Sequence, residues 1–277
     1  MHADHITSAE DLKQRIGGAK GIGEGITQVQ QHFKKVFNFD WLKTDASQFD
    51  FVLKDNQVIK VGDVEIKTIN TPGHTPDSVT YVANDKCMFV GGKQISLFLF
   101  FILFFIFYFL FFIFYFLFFI FLFFIFYFLF LFFFIFYFHF TNYFYKNYEI
   151  IDTLFADSTF SARTDFPNGD AGQLYDSVQR LFNYHPETVV FYCHDYPKKH
   201  DDYILCQTLE EIKNTNQHFN KSKEEYIEIR NAKNKTLNAP KLILASVQLN
   251  LNAGVFPPAE SNGISYLKFP LNLLGSK

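Results

Sequence analysis

Apolar and polar positions recur with regular spacing over most of the chain, and this spacing predicts its secondary structure. In the segment 26–37 apolar residues return every three or four positions, which predicts an amphipathic helix. Apolar and polar residues alternate in 58–69 around a Gly-Asp pair, a pattern typical of a β-hairpin. Similar patterns predict two strands in 78–90, a short buried strand in 188–193 and a late strand in 241–251.

Helix ends are marked by residues that cap free backbone groups. The T-x-x-E sequence at 7–10 predicts a capping box and a helix over 9–16, which Gly17 would end. The S-x-x-E sequence at 222–225 predicts a second capping box, and Asp170 is expected to cap a further helix. Because strand and helix signals alternate along the chain, we expect an α/β layered domain.

One long segment follows neither pattern. The run from Leu97 to Phe138 contains only Phe, Leu, Ile and Tyr, and it carries most of the 40 Phe of the chain. As one helix it would reach roughly 63 Å, about twice the ~30 Å hydrocarbon core of a membrane, and no residue in it favours a turn between two spans. As soluble structure it would be apolar on every face. Its residues repeat in sevens and can all be encoded by A/T codons, so we interpret 92–151 as translated non-coding sequence, with a transmembrane insert as the alternative.

Charge and cysteine content exclude several classes of protein. A net charge of -3 provides no basic field for nucleic acid. The three cysteines are odd in number, scattered and never in a C-x-x-C pair, so neither a disulfide framework nor a zinc ribbon is expected. Each of Cys87, Cys193 and Cys206 is predicted to be a reduced, partly buried thiol. No targeting peptide is visible in the first residues.

Histidine and aspartate residues cluster where the predicted strands end. Imidazole and carboxylate groups are the ligands that zinc and iron take in proteins. A single histidine after a strand is more often a structural residue, but four separate groups in the same kind of position predict a metal site. The candidate ligands are His2, Asp4, His5, His74, Asp152 and His194.

The segments HADH, TPGHTPDS, DTLF and CHDYP, in this order, resemble the metallo-β-lactamase superfamily, and within it the branch of glyoxalase II and the persulfide dioxygenases. The segment ARTDFPNGDA and the tail SVQLNLNAGVFPPAESNGISYLKFPLNLL are similar to the bacterial-type persulfide dioxygenase-like proteins in particular. The resemblance implies an αββα sandwich, an α/β fold. It also implies two parts of one domain, 1–91 and 152–277, separated by the insert 92–151.

The resemblance further implies how the metal ligands are shared. The family motif is H-x-H-x-D-H, and the chain opens on its last three members, so its first His would precede Met1. We therefore expect a truncated start, with the first strands of the sandwich missing. One implied site combines the missing His with His2, His74 and Asp152; the other combines Asp4, His5, Asp152 and His194.

Residues beside the ligands receive roles from the same resemblance. Tyr196 and Thr75 would approach the glutathione part of a substrate, with simple packing as the alternative. Arg163 and Asp165 would form an ion pair that supports the loop after Asp152 from outside the coordination sphere. No catalytic residue beyond the metal ligands is implied.

The implied activity is oxidation of glutathione persulfide by O2 to sulfite, at one Fe(II) held by the missing His, His74 and Asp152. The alternative enzyme is a glyoxalase II-type thioester hydrolase with zinc or a dinuclear metal pair. A third hypothesis is an inactive, membrane-inserted remnant, since one ligand is absent and activity of the chain as written would be impaired. The expected partners are a small molecule and O2, and a second copy of the chain is a further expectation. The expected location is the cytoplasm or the mitochondrion, or a membrane if the aromatic run is retained.

Overall fold

Two β-sheets and six α-helices are formed by the residues that a computed structural model describes, namely 3, 5–90, 153–155, 161–192 and 204–271. These residues all belong to one unit that draws on both 1–94 and 150–277. The two halves of the chain therefore build a common domain, and the segments that flank the aromatic run both contribute to it.

The larger sheet has six strands in the order β3-β4-β5-β6-β7-β8. Neighbouring strands are antiparallel except β6 and β7, which are parallel. All residues from 79 to 82 of β5 are buried, so both faces of the sheet are covered at its centre. The six strands are β3 Val58–Val61, β4 Val64–Asn70, β5 Val79–Ala83, β6 Cys87–Val90, β7 Val189–Phe191 and β8 Cys206–Thr208.

The smaller sheet pairs β1 Gly21–Gly23 with β2 Phe51–Leu53 in parallel. A Cβ at Gly23 would lie within 2.6 Å of the Val79 side chain, so β1 approaches the larger sheet closely at β5. The helices are α1 Ala9–Ile16, α2 Ile26–Phe37, α3 Ala171–Leu181, α4 Leu209–Thr215, α5 Lys223–Asn234 and α6 Ile243–Leu251.

Two apolar clusters stabilise these layers. In the first, residues of the larger sheet such as Val82 and Val190 pack with α3, α4 and α5, and Leu154 and Phe155 belong to the same cluster. In the second, α2 and α6 pack together through a cluster that also contains Ile22 of β1. Helices thus cover the sheets through two separate cores, one formed with each sheet.

Most of the predicted elements are confirmed, with boundaries close to those expected. The helices at 9–16 and 26–37, the hairpin, the two strands in 78–90 and the strand within 188–193 are all present. The Asp170 side chain accepts a hydrogen bond from the Gln173 N–H, and the box at 222–225 forms both of its bonds. Strands β1, β2 and β8 and helix α4 were not predicted.

Two predictions of secondary structure are wrong. Segment 241–251 is mainly the helix α6, not a strand. Its polar Ser246, Gln248 and Asn250 are buried together with its apolar residues, so the alternation of apolar and polar positions does not separate an inner face from an outer face. The box at 7–10 does not form either. Ser8 precedes α1 without a capping bond, and the Glu10 carboxylate instead accepts hydrogen bonds from Lys20 and Gln14.

The aromatic run lies outside the described residues, so its interpretation and the division at 92–151 stay predictions. None of the helices in the described part of the chain is long and apolar enough to cross a membrane. Cys87 and Cys206 are free thiols. Cys87 is half-buried, as predicted, whereas Cys206 is exposed, so the prediction of partial burial is wrong for that residue. Cys193 lies outside the described ranges.

Candidate metal centre

The candidate ligand His74 lies in a tightly folded loop, 71–78, that connects β4 to β5. The Thr71 N–H donates to the Ser78 carbonyl at 2.9 Å and closes the loop at its base. Inside it, the hydroxyl groups of Thr75 and Ser78 are 2.8 Å apart and hydrogen-bonded. Thr75 is completely buried, and His74 is only 6% exposed. The loop is therefore held by its own polar groups, and Thr75 is used in that internal structure, so its contact with a substrate stays a prediction.

Helix α3 and its capping residue Asp170 hold this loop through two hydrogen bonds. The Gly73 carbonyl accepts the Asp170 N–H at 2.8 Å, and the Pro72 carbonyl accepts the Ser177 hydroxyl at 2.7 Å. Gly73 has a φ of 136°, and a Cβ at this position would overlap the backbone of Leu174. Only glycine meets both conditions, because L residues with a side chain are strained in this region of φ.

The His74 ring is oriented by a backbone carbonyl. Its Nδ1 lies 2.5 Å from the Arg163 carbonyl oxygen. Since a carbonyl oxygen can only accept, Nδ1 of the neutral ring carries the proton, and Nε2 carries the lone pair that a metal would use. A histidine ligand in proteins almost always donates its other N–H in this way. The donor chemistry of His74 therefore fits a divalent metal.

The Arg163 and Asp165 side chains form the ion pair expected from the sequence. Arg163 donates two hydrogen bonds to the carboxylate, at 2.7 and 2.6 Å, and a third to the Asn238 carbonyl at 3.1 Å. Burial acts to raise the pKa of the Asp165 carboxyl, but the hydrogen bonds and charge of Arg163 outweigh it and hold that pKa below its ordinary value. The ion pair fixes the peptide whose carbonyl orients His74, while its role toward Asp152 stays a prediction.

A buried arginine of α5 holds the start of the same segment. The Arg230 guanidinium, 6% exposed, donates to the Ser161 carbonyl at 2.8 Å and lies 3.3 Å from its hydroxyl. One residue further along the chain from Arg163, Thr164 is bonded to the Asn234 side chain through its hydroxyl at 2.8 Å. Helix α5 thus anchors 161–165 at two points against the His74 loop.

The second described ligand candidate, His5, lies in a segment held by α6. The Asn250 side chain donates to the His5 carbonyl at 2.8 Å and accepts the Thr7 N–H at 2.8 Å. Ala3, between His2 and Asp4 in the sequence, is buried in the cluster that contains Val247 and Leu251 of α6. The helix that was expected to be a strand therefore contacts Ala3 and holds the backbone at His5 and Thr7.

The predicted site residues are only partly placed by the structure. His5, His74, Thr75, Arg163 and Asp165 are described, and no group of three or more potential metal ligands is found among the described residues. The structure brings Arg163 and Asp165 together and places Arg163 against His74. The other predicted residues lie outside the described ranges: His2, Asp4, Asp152, His194 and Tyr196. The complete ligand set therefore stays a prediction.

Sequence reasoning missed two contacts of this site. The Arg163 carbonyl that accepts from His74 is a backbone group, so the pattern of residue types in the sequence gives no indication of this contact. Asn250 was missed because its segment was interpreted as a strand with one polar face. The available signal was the pair of amide residues, Gln248 and Asn250, within an otherwise apolar segment.

Comparison with known proteins identifies relatives along nearly the whole chain. It is 34% identical to Glyoxylase B2 of Dictyostelium discoideum, over 99% of this chain and 75% of that protein. It is 30% identical to a probable metallo-hydrolase of Burkholderia pseudomallei, over 99% of this chain and 77% of the relative. The human mitochondrial persulfide dioxygenase ETHE1 is 23% identical over 93% of this chain and 68% of the human protein. No protein-family model matches.

Solved structures share the fold. ETHE1 from Myxococcus xanthus superposes with a TM-score of 0.55 at 25% identity, over 92% of this chain and 74% of that chain. A metallo-beta-lactamase from Staphylococcus aureus superposes with the same TM-score at 15% identity, over 90% and 55% of the two chains. The named relatives include a hydrolase and a dioxygenase, and both sequence branches expected from the motifs are represented.

Proposed function

The chain belongs to the metallo-β-lactamase superfamily, and from this premise we propose that it is a persulfide dioxygenase-like metalloenzyme that oxidises glutathione persulfide with O2 to sulfite. The observation that carries the proposal is the contact between His74 and Arg163. Arg163 belongs to ARTDFPNGDA, the segment that most resembles persulfide dioxygenases, and its carbonyl orients a candidate iron ligand. The similarity to ETHE1 from Myxococcus xanthus supports the same choice.

Iron is the proposed metal, held by His74 and Asp152 together with the first His of the family motif. A bound Fe(II) with two imidazoles and one carboxylate would supply open positions for O2 and the substrate. The described residues keep the His74 ring in one tautomer and one orientation before a substrate arrives, because Nδ1 is bonded and the ring is nearly buried. In the overall reaction glutathione persulfide, O2 and water would give glutathione thiol, sulfite and two protons. O2 oxidises the outer sulfur, the S–S bond breaks, and the sulfite carries the two oxygens of O2 and one oxygen of water.

A second function is favoured by a different observation. The relative with 34% identity is named a glyoxylase, and the one with 30% identity a probable metallo-hydrolase. Under this alternative, two metals would be held by His2, Asp4, His5, His74, Asp152 and His194. Such a pair would activate water for attack on a glutathione thioester. The second of the two implied ligand sets is complete in the printed sequence.

Oxygen uptake separates these functions. The chain is extended at its N-terminus so that the first His of the H-x-H-x-D-H motif is present, and it is loaded anaerobically with Fe(II). It is then mixed with glutathione persulfide or with S-lactoylglutathione, and dissolved O2, sulfite and free thiol are followed. The proposal predicts O2 consumption and sulfite only with the persulfide. Thioester cleavage without O2 uptake would instead establish the hydrolase. A chain that binds metal but performs neither reaction contradicts both enzymes and favours the remnant hypothesis, which carbonate extraction of native membranes then tests.

The proposed compartment is the cytoplasm or the mitochondrion, and the printed name of the human relative places that protein in mitochondria. The proposed partners are the small-molecule substrate and O2, with a homo-oligomer as a further expectation. Fractionation of the native cell, with the chain detected by antibody, checks the compartment.

A further inference from the structure

We propose that the segment 255–271 is a dimerisation surface, on which a second copy of this chain packs its own segment 255–271. The proposal rests on described residues alone and depends neither on the proposed function nor on a metal centre. Three observations support it: the segment exposes many large apolar side chains, its backbone is held in place, and its charges cancel.

Apolar exposure is concentrated in this segment. Half of the large hydrophobic side chains that are exposed among the described residues belong to it, and Leu271 is 93%, Phe256 73% and Phe269 61% exposed. Single exposed apolar residues are ordinary on a protein surface, whereas a concentration of them marks a contact surface. The seven side chains are Val255, Phe256, Ile264, Tyr266, Leu267, Phe269 and Leu271.

The exposed apolar area suits a dimer of ordinary size. If a fully open large side chain counts about 150–200 Å², the seven together leave roughly 600–800 Å² open to solvent. The largest apolar patch of a typical monomer covers about 300–600 Å², whereas each partner of a standard protein complex contributes about 800 Å². Contact between two such segments would therefore bury enough surface for a stable dimer.

The segment is held against the domain at both of its parts. The completely buried Gln248 of α6 accepts the Lys268 N–H at 2.9 Å and donates to the Lys268 carbonyl at 3.0 Å. The Asn252 side chain, just after α6, donates to the Val255 carbonyl at 3.1 Å. Because the backbone is already fixed, little conformational entropy would be lost when a partner binds.

Two further contacts hold the middle of the segment. The Glu260 N–H donates to the Ile264 carbonyl at 3.0 Å and closes a turn. The Lys268 ammonium donates to the Asn38 carbonyl at 3.2 Å and lies 5.4 Å from the centre of the Phe39 ring, so the segment is joined to the end of α2 as well. The apolar side chains are thus presented on a fixed backbone.

Charge favours a second copy as the partner. Glu260 and Lys268 are the only charged residues of the segment, so two copies can meet without like-charge repulsion. Two-fold homodimers, in which one surface meets itself, are the commonest oligomers of soluble proteins. A membrane is less favoured, because the chain carries a net charge of -3 and the segment, all of it described, forms no helix that could lie along a lipid surface.

The test compares three full-length chains by sedimentation velocity, at protein concentrations from about 1 to 100 μM. The first is unsubstituted, and the second carries Phe256→Glu together with Phe269→Glu, which place like charges on both copies at exposed positions. The third carries Ile229→Glu as the matched control, since Ile229 of α5 is 40% exposed but lies outside the segment. Thermal unfolding followed by circular dichroism checks each fold, and Phe256→Ser with Phe269→Ser replaces the double variant if the latter does not fold.

We expect the unsubstituted chain and Ile229→Glu to form dimers of equal affinity. The double variant should have a dissociation constant at least about 100-fold higher, because aromatic residues at the centre of a contact often carry most of the binding free energy. In the unsubstituted chain, amide hydrogen exchange within 255–271 should also be slower at the highest protein concentration than at the lowest.

A monomer at every concentration would overturn the inference, and so would equal association of the double variant or amide exchange in 255–271 that does not depend on concentration. Binding of the monomer to phosphatidylcholine vesicles that is lost in the double variant would identify a membrane contact instead and would also overturn it. None of these results alters the oxygen-uptake test, so failure of the dimer and failure of the proposed function are distinguishable.

Discussion

At the scale of single residues, the site depends on backbone groups that fix side chains in one state. The Arg163 carbonyl selects the tautomer of His74, and Gly73 permits the close approach of α3 that holds the loop. Each of the two effects can be removed by a single substitution. For each, the described structure contains a control residue of the same type: His185 for His74 and Gly62 for Gly73.

In a chain extended by the first His of the motif, His74→Ala should abolish stoichiometric binding of iron, because it removes a nearly buried imidazole whose proton is already placed on Nδ1. His185→Ala is the control, since His185 is exposed and its Nδ1 accepts only a local backbone N–H, from Glu187. Metal content after dialysis, measured by inductively coupled plasma mass spectrometry, checks the prediction. Equal metal content in the two variants would exclude His74 as a ligand.

Gly73→Ala should lower the free energy of unfolding by about 3 kcal/mol, since it combines a strained φ with overlap of the Leu174 backbone. Gly62→Ala should cost only about 1 kcal/mol, because Gly62 also has a positive φ but nothing lies within 4 Å of its added Cβ. Urea unfolding followed by circular dichroism gives both values. Similar losses would show that conformational strain alone explains the need for glycine at position 73.

At the scale of secondary structure elements, the sequence predicted those helices and strands in which apolar residues face the core and polar residues face solvent. Helix α2 buries one face, and the hairpin of β3 and β4 alternates around its turn, so periodicity found both. Helix α6 was missed because its amide residues are buried among apolar ones and bind distant backbone. The strands β1, β2 and β8 have three residues each, too few to show a period. Strand β7 is equally short, but it lies in a continuous apolar run and was predicted from that run.

The candidate site could be predicted only in part for a similar reason. Residue type and family resemblance selected His5 and His74, and the ion pair of Arg163 with Asp165 formed as expected. The contacts that hold these residues connect backbone groups with side chains more than 80 positions away, as between Arg163 and His74 or between His5 and Asn250. No local pattern encodes such a pairing.

Helix α3 is joined to the turn between β2 and β3 by a pair whose strength depends on pH. Arg180 donates two hydrogen bonds of 2.9 Å to the Asp55 carboxylate, which also accepts the Asn70 N–H. Burial acts to raise the pKa of Asp55, but Arg180 and the backbone donors together lower it below the ordinary value. The pair therefore stabilises the fold above the pKa of an unfolded aspartate, about 3.9, and this contribution is lost as the pH falls through the folded-state pKa.

Asp55→Asn should reduce the free energy of unfolding at pH 7 by about 1 kcal/mol, a value that allows for screening of the partly exposed pair by solvent. The difference from the unsubstituted chain should stay constant down to about pH 5 and shrink below about pH 4. Asp176 also lies on α3, and its exposed ion pair is with Lys223 of α5, so Asp176→Asn should have little effect. Urea titrations across this pH range check the prediction, and a difference that grows on acidification would contradict it.

At the scale of the whole molecule, one domain is built from segments on both sides of the aromatic run. Val90 precedes the segment 92–151 and Leu154 follows it, and both are buried in the same apolar cluster. The cluster therefore contains described residues from both halves of the chain.

Excision of 92–151, which joins Gly91 to Asp152, should leave the fold unchanged and increase the yield of soluble protein, because the most apolar segment is removed. A short Gly-Ser linker in place of 92–151 serves as the control for strain at the new junction. Circular dichroism, thermal unfolding and Co(II) binding are compared with those of the full chain. Loss of folding in both shortened chains would show that the run is an integral part of the domain.

The two hydrogen bonds that join Asn250 to the backbone of His5 and Thr7 also affect the order in which the chain can fold. They connect residues 245 and 243 positions apart, so the ribosome completes one side long before the other. At roughly 5–20 residues per second, His5 waits about 12 to 49 s for its partner. During that interval residues 5–7 lack the two hydrogen bonds that α6 provides, so this early segment is fixed in place only after the late helix has been synthesised.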